Sequence, residues 1–521
     1  MTPRVTVILP VRNEVATAGR AIASILSQDW PPGRLEILVV DGLSTDGTAE
    51  AARRAGPRVR VLCNPRRTAA AGLNLGLREA SGDVIVRLDG HAEAGPGFLR
   101  EAVAALDATG ADCVGGPIET IGEGASGRAI AAAMSSRFGA GGAEFRMTPG
   151  RPREVDTVAF GAYRRAAFGR AGVFDPGFVR DQDDEFHLRL RLAGGRIVLV
   201  PQIRSTYRCR GTLRALARQY FGYGLWKPRV LRKHGRLPSL RGLAPPALVA
   251  GLAASVAVAA GLRDPRWLAA VAAPYAAANL VASGLVAARR GIGLLPRLPL
   301  ACATMHLAYG AGFLKGLVLP PGPDEPTRIR QAFERRDAAP RSPERDAPLL
   351  AARRAAVRDL LGAAGLLPGP AARILDAGCG RGDSLADLDG MRFGIDLLPT
   401  RAAAARGRHP GARVAVADAA CLPFSAGSFD LCLLFTVMSS ILDEDLRRRV
   451  AAEVLRVLRS SGAVVVYDFA FQPWDADVRG LRRRSLARLF PGCRVETRRV
   501  RGPVPGLPTH FVALVRRDAA A

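Results

Sequence analysis

Several acids in this sequence stand where a short apolar run ends, a place from which a carboxylate can reach a ligand. Asp41 ends "EILVVDG" (36–42), and Asp89 ends "DVIVRLD" (83–89). One strand-end carboxylate can accept the N–H of a base such as uracil, and a second can hold a divalent cation that neutralises a diphosphate. Asp89 runs on into Gly90-His91 within "RLDGHAE" (87–93). Hard cations prefer oxygen ligands, but Mn²⁺ tolerates imidazole. His91 is therefore either a direct metal ligand beside Asp89 or a histidine one step back, bonding phosphate or backbone. Farther on, "VRDQDDEFHLRLRLAGG" (179–195) leads Asp181, Asp183, Asp184 and Glu185 into a helical stretch. Adding an alcohol to an activated sugar needs a base for the acceptor hydroxyl, and a carboxylate at a helix start suits that role. The same run also reads as a solvated acidic helix N-terminus.

A second set of acids lies in the C-terminal third. "RILDAGCGRGDSL" (373–385) is an apolar run, a tight glycine turn and a helical start. Gly378, Gly380 and Gly382 permit close backbone approach to a ligand. "FGIDLLPT" puts Asp396 at the next strand end, where a carboxylate can take ribose hydroxyls. Asp418 follows a third apolar run, and Asp430 precedes a fourth.

These residues need elements to carry them. Residues 1–240 alternate β-type runs, "VTVILP", "EILVVDG", "VRVLCN" and "DVIVRLD", with helical stretches such as 17–28 and 68–80. That alternation predicts an α/β fold with a mainly parallel sheet, and ligands then bind at the carboxyl ends of strands. Residues 241–320 differ. "APPALVAGLAASVAVAAGL" (244–262) and "WLAAVAAPYAAANLVASGLVAA" (267–288) carry no charge and are about long enough to span a bilayer. A third stretch, 298–319, contains His306 and Lys315 and is expected to be interfacial or re-entrant. Basic flanks before the first and after the second stretch place both ends in the cytoplasm. Residues 321–349 are polar and proline-bearing and read as a linker. A second α/β region is expected over 350–521.

The chain has 521 residues and a formal net charge of +27. Such charge suits nucleic acid, an anionic membrane surface or anionic nucleotides. Arginine abundance along the whole chain also accounts for it. No lysine-rich tail or nucleic-acid motif accompanies it, so no nucleic-acid partner is expected. The 8 cysteines form no C-x-x-C pair, which argues against a zinc ribbon and fits a reducing compartment. The N-terminus enters a strand pattern at once, without a signal-peptide layout.

The ordered set "PVRNE … VVDGLSTDGT … RLDGHAE … FGAYRRAAFGRAGVFDPGF … QDDEFHLRLRLAGG" resembles family 2 glycosyltransferases of the GT-A fold, and more closely those of succinoglycan-type exopolysaccharide synthesis. The likeness covers about residues 3–320. It implies that Pro10, Arg12, Glu14, Asp41 and Asp89 bind the nucleotide sugar. It implies Asp89 and His91 at a Mn²⁺ or Mg²⁺ ion and Asp183 as the catalytic base. Gln182 stands where Glu is commoner. Residues 219–226 are similar to a Q-x-x-R-W element but lack its Arg, which argues against long processive synthesis.

The C-terminal set resembles class I S-adenosylmethionine-dependent methyltransferases over about 370–470. By that resemblance Asp376 and the three glycines hold the methionine end, Asp396 the ribose and Asp418 the adenine. Asp468 either orients a methyl acceptor or is structural. The resulting expectation is a bifunctional enzyme at the cytoplasmic face of the inner membrane. It would move a sugar from a nucleotide donor to a lipid-linked glycan and methylate a sugar hydroxyl. Two alternatives stand beside it: a C-terminal domain that only binds S-adenosylmethionine to regulate or scaffold, and a non-enzymatic membrane scaffold.

Overall fold

The computed structural model describes residues 2–518 except 142, 238, 320–321, 323–324, 339–342, 472–474 and 501–509. The chain divides into two compact units, Met1–Gly322 and Pro323–Ala521.

In the first unit the strands are β1 (Val5–Val11), β2 (Leu35–Asp41), β3 (Val59–Cys63), β4 (Val84–Arg87), β5 (Ala92–Ala94), β6 (Cys113–Gly115), β7 (Ile118–Ile121), β8 (Arg153–Glu154), β9 (Ala162–Arg164), β10 (Ile197–Leu199) and β11 (Ser205–Arg208). An 8-stranded sheet runs in the order β3-β2-β1-β4-β9-β6-β10-β8. Its first half is parallel, and β1 pairs with β2 on one side and β4 on the other. The strand order reverses there, so the crevice beyond the ends of β1 and β4 is the expected ligand site. A small sheet, β5-β11-β7, flanks it.

The helices are α1 (Val15–Leu26), α2 (Thr48–Arg54), α3 (Ala69–Glu79), α4 (Phe98–Thr109), α5 (Gly124–Met134), α6 (Arg137–Ala140), α7 (Arg165–Ala171), α8 (Gln182–Leu192) and α9 (Leu213–His234). Period-2 alternation sorts the sheet's two faces. Val5, Val7 and Leu9 of β1 share a core with Ile22 and Ile25 of α1. Ile8, between them, joins Leu73 of α3 and Phe186 and Leu190 of α8 on the other face. Burying a side chain such as Phe186 contributes roughly 1.5–3 kcal/mol, which holds α8 against the sheet.

Three apolar helices follow: α10 (Ala244–Leu262), α11 (Arg266–Arg290) and α12 (Leu298–Val318). Among the described residues two stretches are long and apolar enough to cross a membrane, Leu240–Leu262 and Arg266–Arg290, each with 11% of its apolar window buried. Both leave large apolar side chains outward, among them Val256, Trp267, Leu280 and Leu285. By contrast α12 packs on α9 through small residues. A Cβ at Gly224 of α9 would meet the Tyr309 carbonyl oxygen at 2.0 Å, and one at Gly312 of α12 would meet that of Phe221 at 2.2 Å. Only glycine allows two helix backbones so close.

The second unit opens with α13 (Glu325–Ala338) and α14 (Pro343–Ala363). Thus the stretch 321–349, expected as a linker, is helical over Glu325–Ala338 and again from Pro343 onward; residues 321, 323–324 and 339–342 of it lie outside the described residues. The expectation rests on its polarity and its prolines. Pro326 sits in the first turn, where no intrahelical N–H bond is lost, and Glu325 and Arg335–Arg336 suit the helix dipole. The strands are β12 (Arg373–Ala377), β13 (Met391–Asp396), β14 (Arg413–Val416), β15 (Phe429–Phe435), β16 (Leu458–Phe469), β17 (Cys493–Val500) and β18 (His510–Arg517). They form a 7-stranded sheet in the order β14-β13-β12-β15-β16-β18-β17, with β18 antiparallel to both neighbours. Helices α15 (Pro399–Arg408) and α16 (Glu444–Val457) cover it. Its order reverses at β12 and β15, the same kind of switch point as in the first unit.

Candidate functional site

In the first unit two loops close over the end of β1. The Asn13 amide donates to Ser44 Oγ at 2.9 Å, and the Thr45 amide to Asn13 Oδ1 at 2.9 Å. The Glu14 amide donates to Thr48 Oγ1 at 2.9 Å, and the Val15 amide to Asp46 Oδ2 at 3.0 Å. The turn-rich "GLSTDGT" thus fixes "VRNE" beside it. Asp41 is buried at the end of β2 and accepts the Ser44 amide at 3.1 Å. Pro10 on β1 is in register with Val40, and Arg12 lies 3.3 Å from where a Cβ on Gly42 would stand.

The end of β4 carries the densest chemistry. Arg87 is buried at 6% exposure. Its Nη1 donates to Asp183 Oδ2 at 2.8 Å and its Nη2 to Asp89 Oδ1 at 3.1 Å. One guanidinium therefore joins the strand-end acid to the acid in the first turn of α8, which lie 94 residues apart in sequence (183 − 89). Burial pushes the Asp183 carboxyl up, but Arg87 overrides it and holds the group down at about 2. Asp183 is an ionised acceptor at neutral pH.

His91 has a partner that local spacing does not reveal. Its Nδ1 is 2.6 Å from Glu14 Oε1. A carboxylate can only accept, so Nδ1 carries the hydrogen, and in the neutral imidazole Nε2 keeps its lone pair. Burial opposes protonation of the ring, but the Glu14 bond and the Asp89 charge raise its pKa above the ordinary value. Gly90 makes room: a Cβ there would stand 2.3 Å from Glu14 Oε2. This carboxylate–histidine pairing is the usual support of a metal-bound imidazole. Among the described residues no three His, Cys, Asp or Glu side chains cluster to hold a metal ion by themselves. Asp89 and His91 fit a cation whose remaining ligands come from a diphosphate and water, as is common for Mg²⁺.

Other polar side chains around α8 and α9 are tied into the fold. His187 is fully buried, bonded to Thr157 Oγ1 at 2.8 Å and Tyr163 Oη at 2.9 Å. Trp226 packs against Phe178 in a small core, and Gln219 Nε2 donates to Tyr207 Oη and Tyr223 Oη. Lys227, which sequence reading passed over, binds Asp184 and lies 3.8 Å from Asp181. Lys233 and His234 reach the fully buried Glu185 at 2.7 and 3.0 Å. These contacts tie α9 to the helix that presents Asp183.

In the second unit a cavity of about 300 Å³ opens at the switch point. Gly378, Gly380, Asp396 and Asp418 line it, with Thr436 and Val437 after β15. Gly378 has φ +108°, and a Cβ there would stand 2.4 Å from Val437 Cγ2. Asp396 accepts the amides of Gly380 at 2.9 Å and Leu398 at 2.8 Å, which aligns its carboxylate under the glycine turn. Asp418 accepts the Ala420 amide at 2.8 Å. A glycine cradle with two acids at successive strand ends fits S-adenosylmethionine, which has hydroxyl and amine donors and no phosphate.

Two expected residues lie behind this wall. Asp376 is fully buried and accepts a hydrogen bond from Ser384 Oγ, and it is Ser384 that lines the cavity. Gly382 is absent from the lining; a Cβ there would press on His409 at 2.8 Å. Asp468 is also fully buried, accepting the Ser439 and Phe469 amides, so its contacts are structural. Arg353 of α14 lines the cavity, stacks on Phe435 at 4.9 Å and bonds Asp387 at 2.8 Å; nothing in its local sequence marks it.

Burial pushes the Asp376 carboxyl up to about 7, with the Ser384 bond opposing. Between pH 4 and 7 the folded chain then keeps a proton that the unfolded chain has released. Stability contributed by this group falls as pH rises through that window, by on the order of a few kcal/mol in all. Asp376→Asn is expected to raise the melting temperature at pH about 8 and leave it nearly unchanged near pH 4. Equal shifts at both pH values would contradict the buried-carboxyl reading.

Two family models match the chain. Glycosyl transferase family 2 matches residues 6–175, and a methyltransferase domain matches residues 375–466. Succinoglycan biosynthesis protein ExoA of Rhizobium meliloti is 33% identical over 320 residues, covering 60% of this chain and 94% of that protein. A dolichyl N-acetyl-alpha-D-glucosaminyl phosphate 3-beta-D-2,3-diacetamido-2,3-dideoxy-beta-D-glucuronosyltransferase of Methanococcus voltae is 27% identical over 240 residues, 44% of this chain and 74% of its own. For the C-terminal unit, a demethylmenaquinone methyltransferase of Beutenbergia cavernae is 35% identical over 124 residues, 23% of this chain and 48% of its own. With strand-end acids at both switch points and these relatives, the chain belongs to glycosyltransferase family 2 and carries a methyltransferase domain behind its glycosyltransferase unit.

Proposed function

We propose that this protein builds a surface or secreted glycan at the cytoplasmic face of the inner membrane. Its first unit transfers a sugar from a nucleotide donor to a lipid-linked acceptor, with inversion. The observation that carries this reading is the joining of Asp89 and Asp183 by Arg87 at the switch-point crevice. Pro10, Arg12 and Asp41 line the nucleotide side. Asp89 and His91 would hold a divalent cation, which when bound would neutralise charge on the leaving diphosphate. Asp183 receives the acceptor proton, the acceptor oxygen bonds to the anomeric carbon, and the bond to the diphosphate breaks. Arg87 keeps Asp183 ionised and aimed, and Glu14 orients His91.

Two apolar helices and the ExoA-like length of the first unit support a membrane seat. The dolichyl-phosphate compound in the archaeal relative's name supports a lipid-linked acceptor. For the second unit we read S-adenosylmethionine as cofactor and a sugar hydroxyl of the same product as methyl acceptor. Asp396 takes the ribose and Asp418 the adenine. Gly378 and Gly380 admit the methionine end, while Asp376 and Gly382 act from behind, through Ser384 and through the turn.

Incubation with labelled S-adenosylmethionine, donor sugars and a bacterial lipid extract tests the second reaction. Label is expected in the lipid-linked glycan, and none with Asp396→Ala. Cofactor binding without label in any product would favour a regulatory C-terminal domain.

A further inference from the structure

The cofactor cavity has a wall that neither the glycine turn nor the strand-end acids provide. Pro326, Ile329, Phe333 and Arg336 of α13 line it. Their spacing of three, four and three residues places them on one face of the helix. The helix crosses the carboxyl edge of the sheet. At its start Glu325 Oε1 accepts the amides of Leu442 and Asp443, beyond β15. At its end the Asp337 carboxylate accepts from Arg401 Nε and Nη2, both at 2.8 Å, beyond β13. Between these, Arg328 donates to Asp477 at 2.8 Å and to the Ser440 carbonyl at 2.7 Å. Arg335 reaches Asp477 at 2.7 Å, and Arg336 reaches Asp475 at 2.6 Å.

The contacts holding this helix down are mostly charged, whereas its cavity face presents Pro326, Ile329 and Phe333. Phe333 lies under Arg401, whose Cζ is 4.2 Å from the ring centroid. Arg401 belongs to the first turn of α15, just past Asp396 and Leu398, which puts Phe333 at the adenosine end of the cavity.

We propose that α13 is a hinged wall of the cofactor site. Phe333 and Ile329 pack against the adenosine of bound S-adenosylmethionine, and the helix must lift from its charged seats for the cofactor to enter and leave. The proposal rests on reading the cavity as an S-adenosylmethionine site. Partly exposed ion pairs are weakened by salt, while apolar contacts are not. Exchange should therefore quicken with ionic strength. A C-terminal fragment starting at residue 350 would lack this wall.

The test uses the full chain in detergent with S-adenosylhomocysteine as probe. Calorimetry gives Kd, and stopped-flow displacement gives the off-rate. Wild-type protein is expected to bind, and Asp396→Ala to bind far more weakly. Phe333→Ala should raise Kd about tenfold or more, as expected for losing a large apolar contact. Asp477→Asn with Asp337→Asn should speed both association and release severalfold, and should abolish most of the salt dependence of the off-rate. Melting curves matching the wild type exclude misfolding as the cause. If wild-type and Phe333→Ala proteins bind equally and the double variant exchanges at the wild-type rate, the wall is not part of the site. If wild-type protein binds no probe while remaining folded, the cofactor reading itself fails, and this proposal with it.

Discussion

Replacing Asp183 with asparagine should cut sugar transfer by roughly 10²–10⁴-fold while leaving donor binding close to normal. Asparagine keeps the shape of the side chain and can still accept from Arg87 through its carbonyl oxygen, so α8 should stay in place. What it loses is the charge that receives the acceptor proton. The loss should therefore fall on kcat rather than on the KM for the nucleotide sugar. Arg87→Ala makes the useful contrast. It releases Asp183 and Asp89 together, since both bond the same guanidinium. It should damage kcat and metal response at once, and it leaves two carboxylates without their buried counter-charge. A kcat for Asp183→Asn within a few fold of wild type would remove Asp183 from the base role.

The second large effect belongs to the Glu14–His91 pair. His91→Ala should weaken the activating effect of Mn²⁺ or Mg²⁺ sharply, so that saturation needs far more metal. Glu14→Gln leaves His91 in place but replaces a charged acceptor with a neutral amide. Loss of such a supporting bond typically costs about 10–100-fold in metal affinity. Glu14→Gln should thus shift the metal titration in the same direction as His91→Ala, by a smaller amount. Metal titrations of nucleoside diphosphate release read both. If His91→Ala lowers activity at every metal concentration without shifting the midpoint, the histidine bonds phosphate rather than metal.

Much of this arrangement is legible in the residues themselves, because strand-end chemistry is local. An apolar run ending in Asp puts that Asp at a sheet edge, and this holds for Asp41, Asp89 and Asp396. The partnerships are harder to read. Glu14 and His91 are 77 residues apart, and only the parallel pairing of β1 with β4 brings their loops together. Arg87 looks like one charge inside an apolar strand. Its burial makes sense only once Asp183 arrives from α8. Asp376 sits where the glycine turn begins, yet the turn carries Ser384 to the wall and leaves Asp376 beneath it. Polarity and prolines made 321–349 read as a spacer. The apolar face of α13 is just Pro326, Ile329 and Phe333 on a charged helix, too sparse to stand out before the cavity is seen. The third apolar stretch carries small residues whose purpose, close approach to α9, depends on a distant helix: Gly312 lies 88 residues after Gly224 (312 − 224).

The most direct test of the central claim is nucleoside diphosphate release by the detergent-solubilised full chain. A panel of sugar nucleotides would be supplied with a bacterial lipid extract, with and without Mn²⁺ or Mg²⁺. Release that needs both metal and lipid, and that disappears in Asp183→Asn, is the expected result and would name the donor. Equal release by wild-type and Asp183→Asn proteins, or none from any donor with acceptor lipids verified present, would contradict a sugar transfer run by the Arg87-bridged acids.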